Sequence, residues 1–249
     1  MFVVGGGSRG LGLAVARELV AEGARVLLAA RGLEALEAAA AELGERALPC
    51  VVDLADPVDA GRIGGLATVL CGGLDGVFVN AGPPLSGEAL ELTDEEWLGA
   101  FDLTLRGPLA LLRGVVPLLE EGGGSILFVT SSSVRRPVAG LDTANVLRPA
   151  VAALVKSLAR ELAPQIRVNS LAPGRFDTER VRSIDSRRAE VAGITIDEER
   201  SRSVAEIPMG RYGQPEELAR VAAFLLSPAA SYLTGAAIQL DGGSVSAVP

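Results

Sequence analysis

Short, unbroken apolar runs alternate with longer amphipathic stretches along almost the whole chain. The runs predict strands over residues 2–5, 25–29, 46–52, 76–79, 125–131, 166–171 and 236–240. The amphipathic stretches predict helices over residues 11–22, 33–43, 57–70, 94–119, 149–163 and 215–226. Unbroken apolar strands suit a sheet that is buried on both faces. The repeated alternation predicts an α/β architecture: a doubly wound parallel sheet of about seven strands with helices on both sides. Thr93-Asp94-Glu95-Glu96 reads as a capping box, with Glu96 reaching back to Thr93, and it starts the long central helix. Residues 175–208 break the alternation and mix charges of both signs, which predicts an inserted helical flap. No linker, low-complexity tract or repeat divides the chain, so residues 1–249 are expected to form one domain.

Composition narrows the function classes. A chain of 249 residues, 49% of them hydrophobic, can bury one large core. Its net charge of −8 argues against a nucleic-acid partner, whose phosphates need a basic face. No uncharged apolar run is long enough to cross a bilayer, and the first strand leaves no room for a signal peptide. A cytoplasmic protein without a membrane partner is expected. Cys50 and Cys71 are expected to be buried thiols rather than a disulfide. There is no histidine, which removes zinc sites built from His and Cys and any Ser-His triad. Lys156 is the only lysine, so almost all positive charge is arginine.

The first strand ends in Gly5-Gly6-Gly7-Ser8-Arg9-Gly10-Leu11-Gly12, which opens the first helix. Strand, glycine turn, helix and strand are the context in which such a pattern binds a dinucleotide. A tight turn lets backbone N–H groups approach a pyrophosphate, and the helix offers it a positive end. Gly6, Ser8, Arg9, Gly10, Leu11 and Gly12 are therefore candidate cofactor contacts. An acid at the end of the second strand would bind ribose hydroxyls and repel a phosphate. Here that position is Ala30, followed by Arg31. Arg31, helped by Arg9, can grip a ribose phosphate through charged hydrogen bonds, so NADP(H) is the expected cofactor. The competing reading leaves both arginines facing water.

These residues and several further motifs resemble the short-chain dehydrogenase/reductase family along the whole chain. Gly6, Gly10 and Gly12 match its glycine turn, with Gly5 replacing the usual threonine. Asp53, beside Leu54, falls at the family's adenine-contacting aspartate. Asn80-Ala81-Gly82 matches its Asn-Ala-Gly motif. Pro173-Gly174 and Thr178 match the segment that meets the nicotinamide end. The stretch from Ile207-Pro208 through Gly213-Gln214-Pro215-Glu216-Glu217 to Asp241-Gly242-Gly243 resembles the bacterial 3-oxoacyl-carrier-protein reductase branch. The resemblance implies a Rossmann domain, a small carbonyl or alcohol substrate, and a homodimer or homotetramer built on the two long central helices and the last strand.

The match fails at the catalytic centre. Active members resemble one another in an asparagine, a serine and a Tyr-x-x-x-Lys pair. Ser131 matches the serine, with Ser132 and Ser133 as weaker candidates. Thr104 stands at the asparagine. Counting back from Leu158-Ala159-Arg160-Glu161-Leu162-Ala163 puts Arg148 at the lysine and Ala144 at the tyrosine. Arginine can hold a ribose hydroxyl but stays protonated and cannot relay a proton. Pro149 predicts either a helix that starts near Arg148 or a kink there. Two function classes follow. One is a divergent NADP(H)-dependent oxidoreductase, with Asp142, Asp177 or water as proton donor. The other is an NADP(H)-binding sensor or partner subunit without redox turnover. In the flap, Arg180, Arg182, Arg187, Arg188, Arg200 and Arg202 suit a carrier protein or a coenzyme A phosphate. The interleaved acids instead favour local ion pairs on a solvated helix. Trp97 reads as a packing residue.

Overall fold

The computed structural model describes residues 1–82, 85–120 and 122–247. Its strands are β1 (Phe2–Gly5), β2 (Val26–Ala30), β3 (Ala47–Val51), β4 (Gly76–Val79), β5 (Gly124–Val129), β6 (Ile166–Pro173) and β7 (Ala237–Leu240). All pair in parallel, in the order β3-β2-β1-β4-β5-β6-β7. The helices are α1 (Gly10–Ala21), α2 (Leu33–Leu43), α3 (Pro57–Gly61), α4 (Ile63–Cys71), α5 (Asp94–Phe101), α6 (Gly107–Glu120), α7 (Asp142–Glu161), α8 (Glu179–Ala192), α9 (Ile196–Ala205) and α10 (Pro215–Leu226). The fold is a seven-stranded Rossmann-like α/β sheet.

Strand side chains alternate between two cores, as the pleat requires. Val3, Val77, Ile126 and Phe128 pack against Ile63, Leu111, Val115 and Val155 of α4, α6 and α7. Val4, Phe78 and Leu127 pack against Val15, Leu19, Leu36 and Leu218 of α1, α2 and α10. Cys50 lies in the first core, and the Cys71 side chain falls outside the described ones.

Three predicted elements differ. The helix expected over 57–70 is two, α3 and α4, meeting at Arg62. Gly61, Gly64 and Gly65 weaken the helix there. They also let it approach α6, where a Cβ at Gly64 would lie 2.0 Å from the Gly114 carbonyl oxygen. The helix expected over 94–119 contains a π-helical turn over Asp102–Arg106. Gly107 explains that site: a Cβ there would lie 1.8 Å from the Leu54 carbonyl oxygen, so the backbone crosses the end of β3 at contact distance. The third difference concerns Pro149. The helix does not begin near Arg148; α7 starts at Asp142 and runs through Pro149. Its start is set by tertiary contacts rather than by a cap at Leu141. Asn145 bonds both backbone groups of Val138 and the Asp142 carboxylate, while Asp142 accepts from the Ala89 N–H at 2.8 Å.

Candidate active site

The strand order reverses between β1 and β4, which opens a crevice at their C-terminal ends. The glycine loop fills one side of it. Gly6 has φ +61°, and a Cβ there would meet the Asn80 Nδ2 at 2.8 Å. A Cβ at Gly12 would lie 2.2 Å from the Gly6 carbonyl oxygen, because α1 rests directly on the loop. Gly10 has φ +57° and would meet only the Thr178 methyl, at 4.0 Å. Arg9 precedes α1 without capping it through its side chain, and no acid lies in the first turn. The N-terminal N–H groups and partial positive charge of α1 are thus left for a ligand. An anionic pyrophosphate fits this cradle.

The other cofactor candidates gather around the same crevice. Asp53 is half-buried; its carboxylate accepts from the Ala55 N–H at 2.9 Å and its own N–H donates to Asp59 at 2.7 Å. Leu54 buries its side chain in the core. Asn80, Ala81 and Gly82 follow β4, with Gly82 at φ +90°. Pro173 ends β6, and the Gly174 N–H donates to the Leu240 carbonyl at 2.7 Å. Thr178 caps α8, its hydroxyl oxygen accepting from the Val181 N–H at 3.3 Å. Ser8 and Leu11 are half-buried. Ala30 ends β2, and Arg31 beside it is exposed. Arg9 lies a loose 3.9 Å from Glu179, both side chains about four-fifths exposed.

The catalytic candidates line the other side. Ser131 lies two residues beyond β5 and opens the 3-10 turn Ser132–Val134. Its hydroxyl oxygen accepts from the Ser133 N–H at 3.1 Å, which leaves the hydroxyl proton to donate. The Ser133 hydroxyl is buried and has no partner among the described residues. Thr104 sits inside the π turn, 3% exposed, and its hydroxyl likewise has no partner among the described residues. Single π turns recur at functional sites.

Ala144 and Arg148 lie one helical turn apart on α7. Arg148 is buried, and its guanidinium donates to the Val129 carbonyl at 2.7 Å and the Gly82 carbonyl at 2.8 Å. It thereby ties together the segments that follow β4 and end β5. No carboxylate pairs with it among the described residues. Burial alone pushes its pKa down to about 10, so it remains a cation at neutral pH.

The two carboxylates named as proton donors are otherwise engaged. Asp177 is gripped by Arg200 and Arg182, whose hydrogen bonds and charge hold its pKa below the carboxylate norm. Asp142 accepts from Ala89 and Asn145 at the start of α7. Neither tyrosine replaces them. Tyr232 is fully exposed. Tyr212 is buried, donates to Asp185 at 2.9 Å, and has the guanidinium groups of Arg175 and Arg200 over its ring, 5.5 and 4.6 Å from the ring centre.

No sequence motif announces this last network. Asp185 on α8 is 1% exposed and pairs with Arg175, just past Pro173-Gly174. With Asp177 held by α8 and α9, it fastens both flap helices to the segment that contains Thr178. Asp185 and Tyr212 stand 27 residues apart without a motif, so nothing local signals their contact. The capping box Thr195–Glu198 that starts α9 was readable. Trp97 is half-buried and donates its indole N–H to the Ala89 carbonyl at 3.3 Å.

Comparison with known proteins agrees with this architecture. A family profile described as Enoyl-(Acyl carrier protein) reductase matches residues 6–245. The human protein named Dehydrogenase/reductase SDR family member 4 is 35% identical over 246 residues, spanning 95% of this chain and 84% of that one. L-Sorbose reductase from Gluconobacter frateurii, solved with NADPH and L-sorbose, superposes with a TM-score of 0.94 at 31% identity, covering 99% of this chain and 97% of that one. A short-chain oxidoreductase from Pseudomonas aeruginosa PAO1, described as containing an atypical catalytic center, superposes with a TM-score of 0.89 at 30% identity, over 99% and 97% of the two chains. The protein belongs to the short-chain dehydrogenase/reductase family of oxidoreductases.

Proposed function

We propose that this protein is an NADPH-dependent carbonyl reductase that works without a tyrosine acid. The observation that carries this reading is Arg148: a buried cation without an acidic partner among the described residues, bonded to the Val129 carbonyl two residues before Ser131, whose hydroxyl proton is unspent. The loop Gly6–Gly12 and the uncapped start of α1 would hold the pyrophosphate, Asp53 the adenine, and Arg31 with Arg9 the ribose phosphate. Asn80, Gly82, Gly174 and Thr178 would border the nicotinamide end. When bound, NADPH supplies a hydride.

Ser131 donates a hydrogen bond to the substrate carbonyl oxygen and fixes its orientation. Arg148 keeps a positive charge under the site as negative charge grows on that oxygen, an electrostatic role that requires no proton transfer. It also keeps the ends of β4 and β5 in register. Thr104 offers a buried hydroxyl from the π turn where the family carries asparagine. Ala144 gives no proton, so water protonates the product alkoxide.

The NADPH in L-sorbose reductase and the exposed Arg31, which has no carboxylate partner among the described residues, support the choice of cofactor. Leu98 on α5 and Val146 on α7 are 63% and 56% exposed, which supports a homodimer or homotetramer through these helices.

The test is NADPH oxidation with a panel of ketones and 3-oxoacyl thioesters, alongside calorimetric titration of the cofactor. Turnover that falls in Ser131→Ala is expected. Tight NADPH binding without turnover on any substrate would overturn the reductase reading in favour of a nucleotide-binding subunit. That second reading draws on one observation: Tyr212, Asp142 and Asp177 are all committed elsewhere.

A further inference from the structure

The flap arginines divide into two groups. Arg182 and Arg200 bind Asp177, Arg188 lies 4.0 Å from Glu199, and Arg202 draws on Glu198. Arg180 and Arg187, two turns apart on α8, have no carboxylate partner among the described residues. Arg180 reaches across the crevice and donates to the Ser86 hydroxyl at 3.0 Å. Ser86 precedes Gly87, which is joined to Gly140 and Leu141 in front of α7. Arg180 therefore links α8 to the segment that meets the start of α7, the helix that carries Arg148. Arg135 and Arg136, in the loop that follows Ser131, are also without a carboxylate partner among the described residues.

Both side chains are exposed, so the arrangement leaves two like charges open to a counter-ion from outside the chain. The charge of Arg187 opposes that of Arg180. The chain carries 31 acids against 23 basic residues, yet none among the described residues pairs with either arginine. The nearest flap acid toward the glycine loop, Glu179, faces Arg9 instead. An oxyanion seated between the two guanidinium groups would relieve their repulsion and accept forked hydrogen bonds.

We propose that Arg180 and Arg187 form an oxyanion-binding pair and that the substrate is a small ketone bearing a carboxylate or phosphate group. The substrate half of this inference rests on the carbonyl-reductase reading; the anion-binding half does not. Bound through its anionic end by this pair, such a ketone would present its carbonyl inward to Ser131.

Calorimetry on the NADPH-loaded protein tests it with three probes: levulinate, its uncharged methyl ester, and dihydroxyacetone phosphate. NADPH oxidation is followed with the same compounds. The anionic probes should bind at least about ten-fold more tightly than the ester, as expected for charge-assisted hydrogen bonds. Arg180→Gln and Arg187→Gln should each erase most of that difference, whereas Arg202→Gln should not. Added salt should weaken only the anions. The tighter of levulinate and dihydroxyacetone phosphate identifies the oxyanion. Equal affinity for acid and ester, an equal loss in Arg202→Gln, or no saturable anion binding overturns the pair. Anion binding that depends on Arg180 without any NADPH oxidation keeps the pair and removes the reductase reading. Turnover of neutral ketones with no preference for anions does the reverse.

Discussion

On the glycine-loop side of the crevice, backbone packs on backbone; on the α7 side, side chains set the shape. At Gly12 a single added carbon would strike the Gly6 carbonyl at 2.2 Å, and no rotamer can relieve it. At Ala144 the side chain is small and half-buried, and the adjoining charge is held by two carbonyls through a long guanidinium. A site written in backbone contacts tolerates little change. A site written in side chains can lose its acid and keep its fold.

Gly12→Ala probes the first region and has the largest expected effect. Overpacking against backbone costs about 1–3 kcal/mol or more, so the variant should melt earlier and lose measurable NADPH binding in calorimetry. Unchanged cofactor affinity would show that α1 can lift off the loop. Asp185→Ala probes the flap. It leaves Arg175, 22% exposed, without its acid, and breaking such a pair costs up to about 3 kcal/mol by chemical unfolding. If stability holds, the flap is not fastened through Asp185.

Arg31→Ala should weaken NADPH by about ten-fold while sparing NADH, which returns the two cofactors to similar affinity. Equal loss for both would refute the ribose-phosphate assignment. The double change Ala144→Tyr with Arg148→Lys should raise ketone reduction by about ten-fold, at the low end of general acid catalysis. Because α7 already runs through Pro149, adding Pro149→Ala should contribute nothing further. A rate that rises only in the triple variant would show that proline displaces residue 144.

The pH profile carries the smallest effect. Arg148, at about 10, is charged throughout the neutral range, so turnover should stay level between about pH 6 and about pH 9. A folded-state pKa depressed below the unfolded value means that the unfolded chain binds more protons above pH 10. This group therefore weakens stability at neutral pH, and its penalty fades as pH rises through that window. A bell-shaped rate profile near neutrality would reveal a proton donor that Ser131 and Arg148 do not account for.

The legible parts of the chain share a physical basis. The glycine turn, the strand and helix on either side of it and the Thr93–Glu96 capping box arise from short-range rules, so Gly6, Gly10, Gly12 and Thr93 announce them. The π turn depends on Gly107 meeting Leu54, and the start of α7 depends on Asn145 and Ala89, partners distant in sequence or unmarked by any motif. The sequence singles out Arg148 as a candidate site residue, but its bonds to Val129 and Gly82 were not legible, because they require β4, β5 and α7 to be assembled first. The flap arginines were legible as a group, yet only the assembled helices separate Arg180 and Arg187 from their neutralised neighbours.

The indole of Trp97 is anchored to the Ala89 carbonyl, three residues past Ser86, where Arg180 docks. It is also the only tryptophan in the chain. The protein thus carries a single indole close to the segment that Arg180 contacts, with emission in the region where reduced nicotinamide absorbs. Excited apart from the two tyrosines, it should report occupancy of the cleft and movement of the adjoining loop as quenching or a spectral shift from one identified residue, without a label.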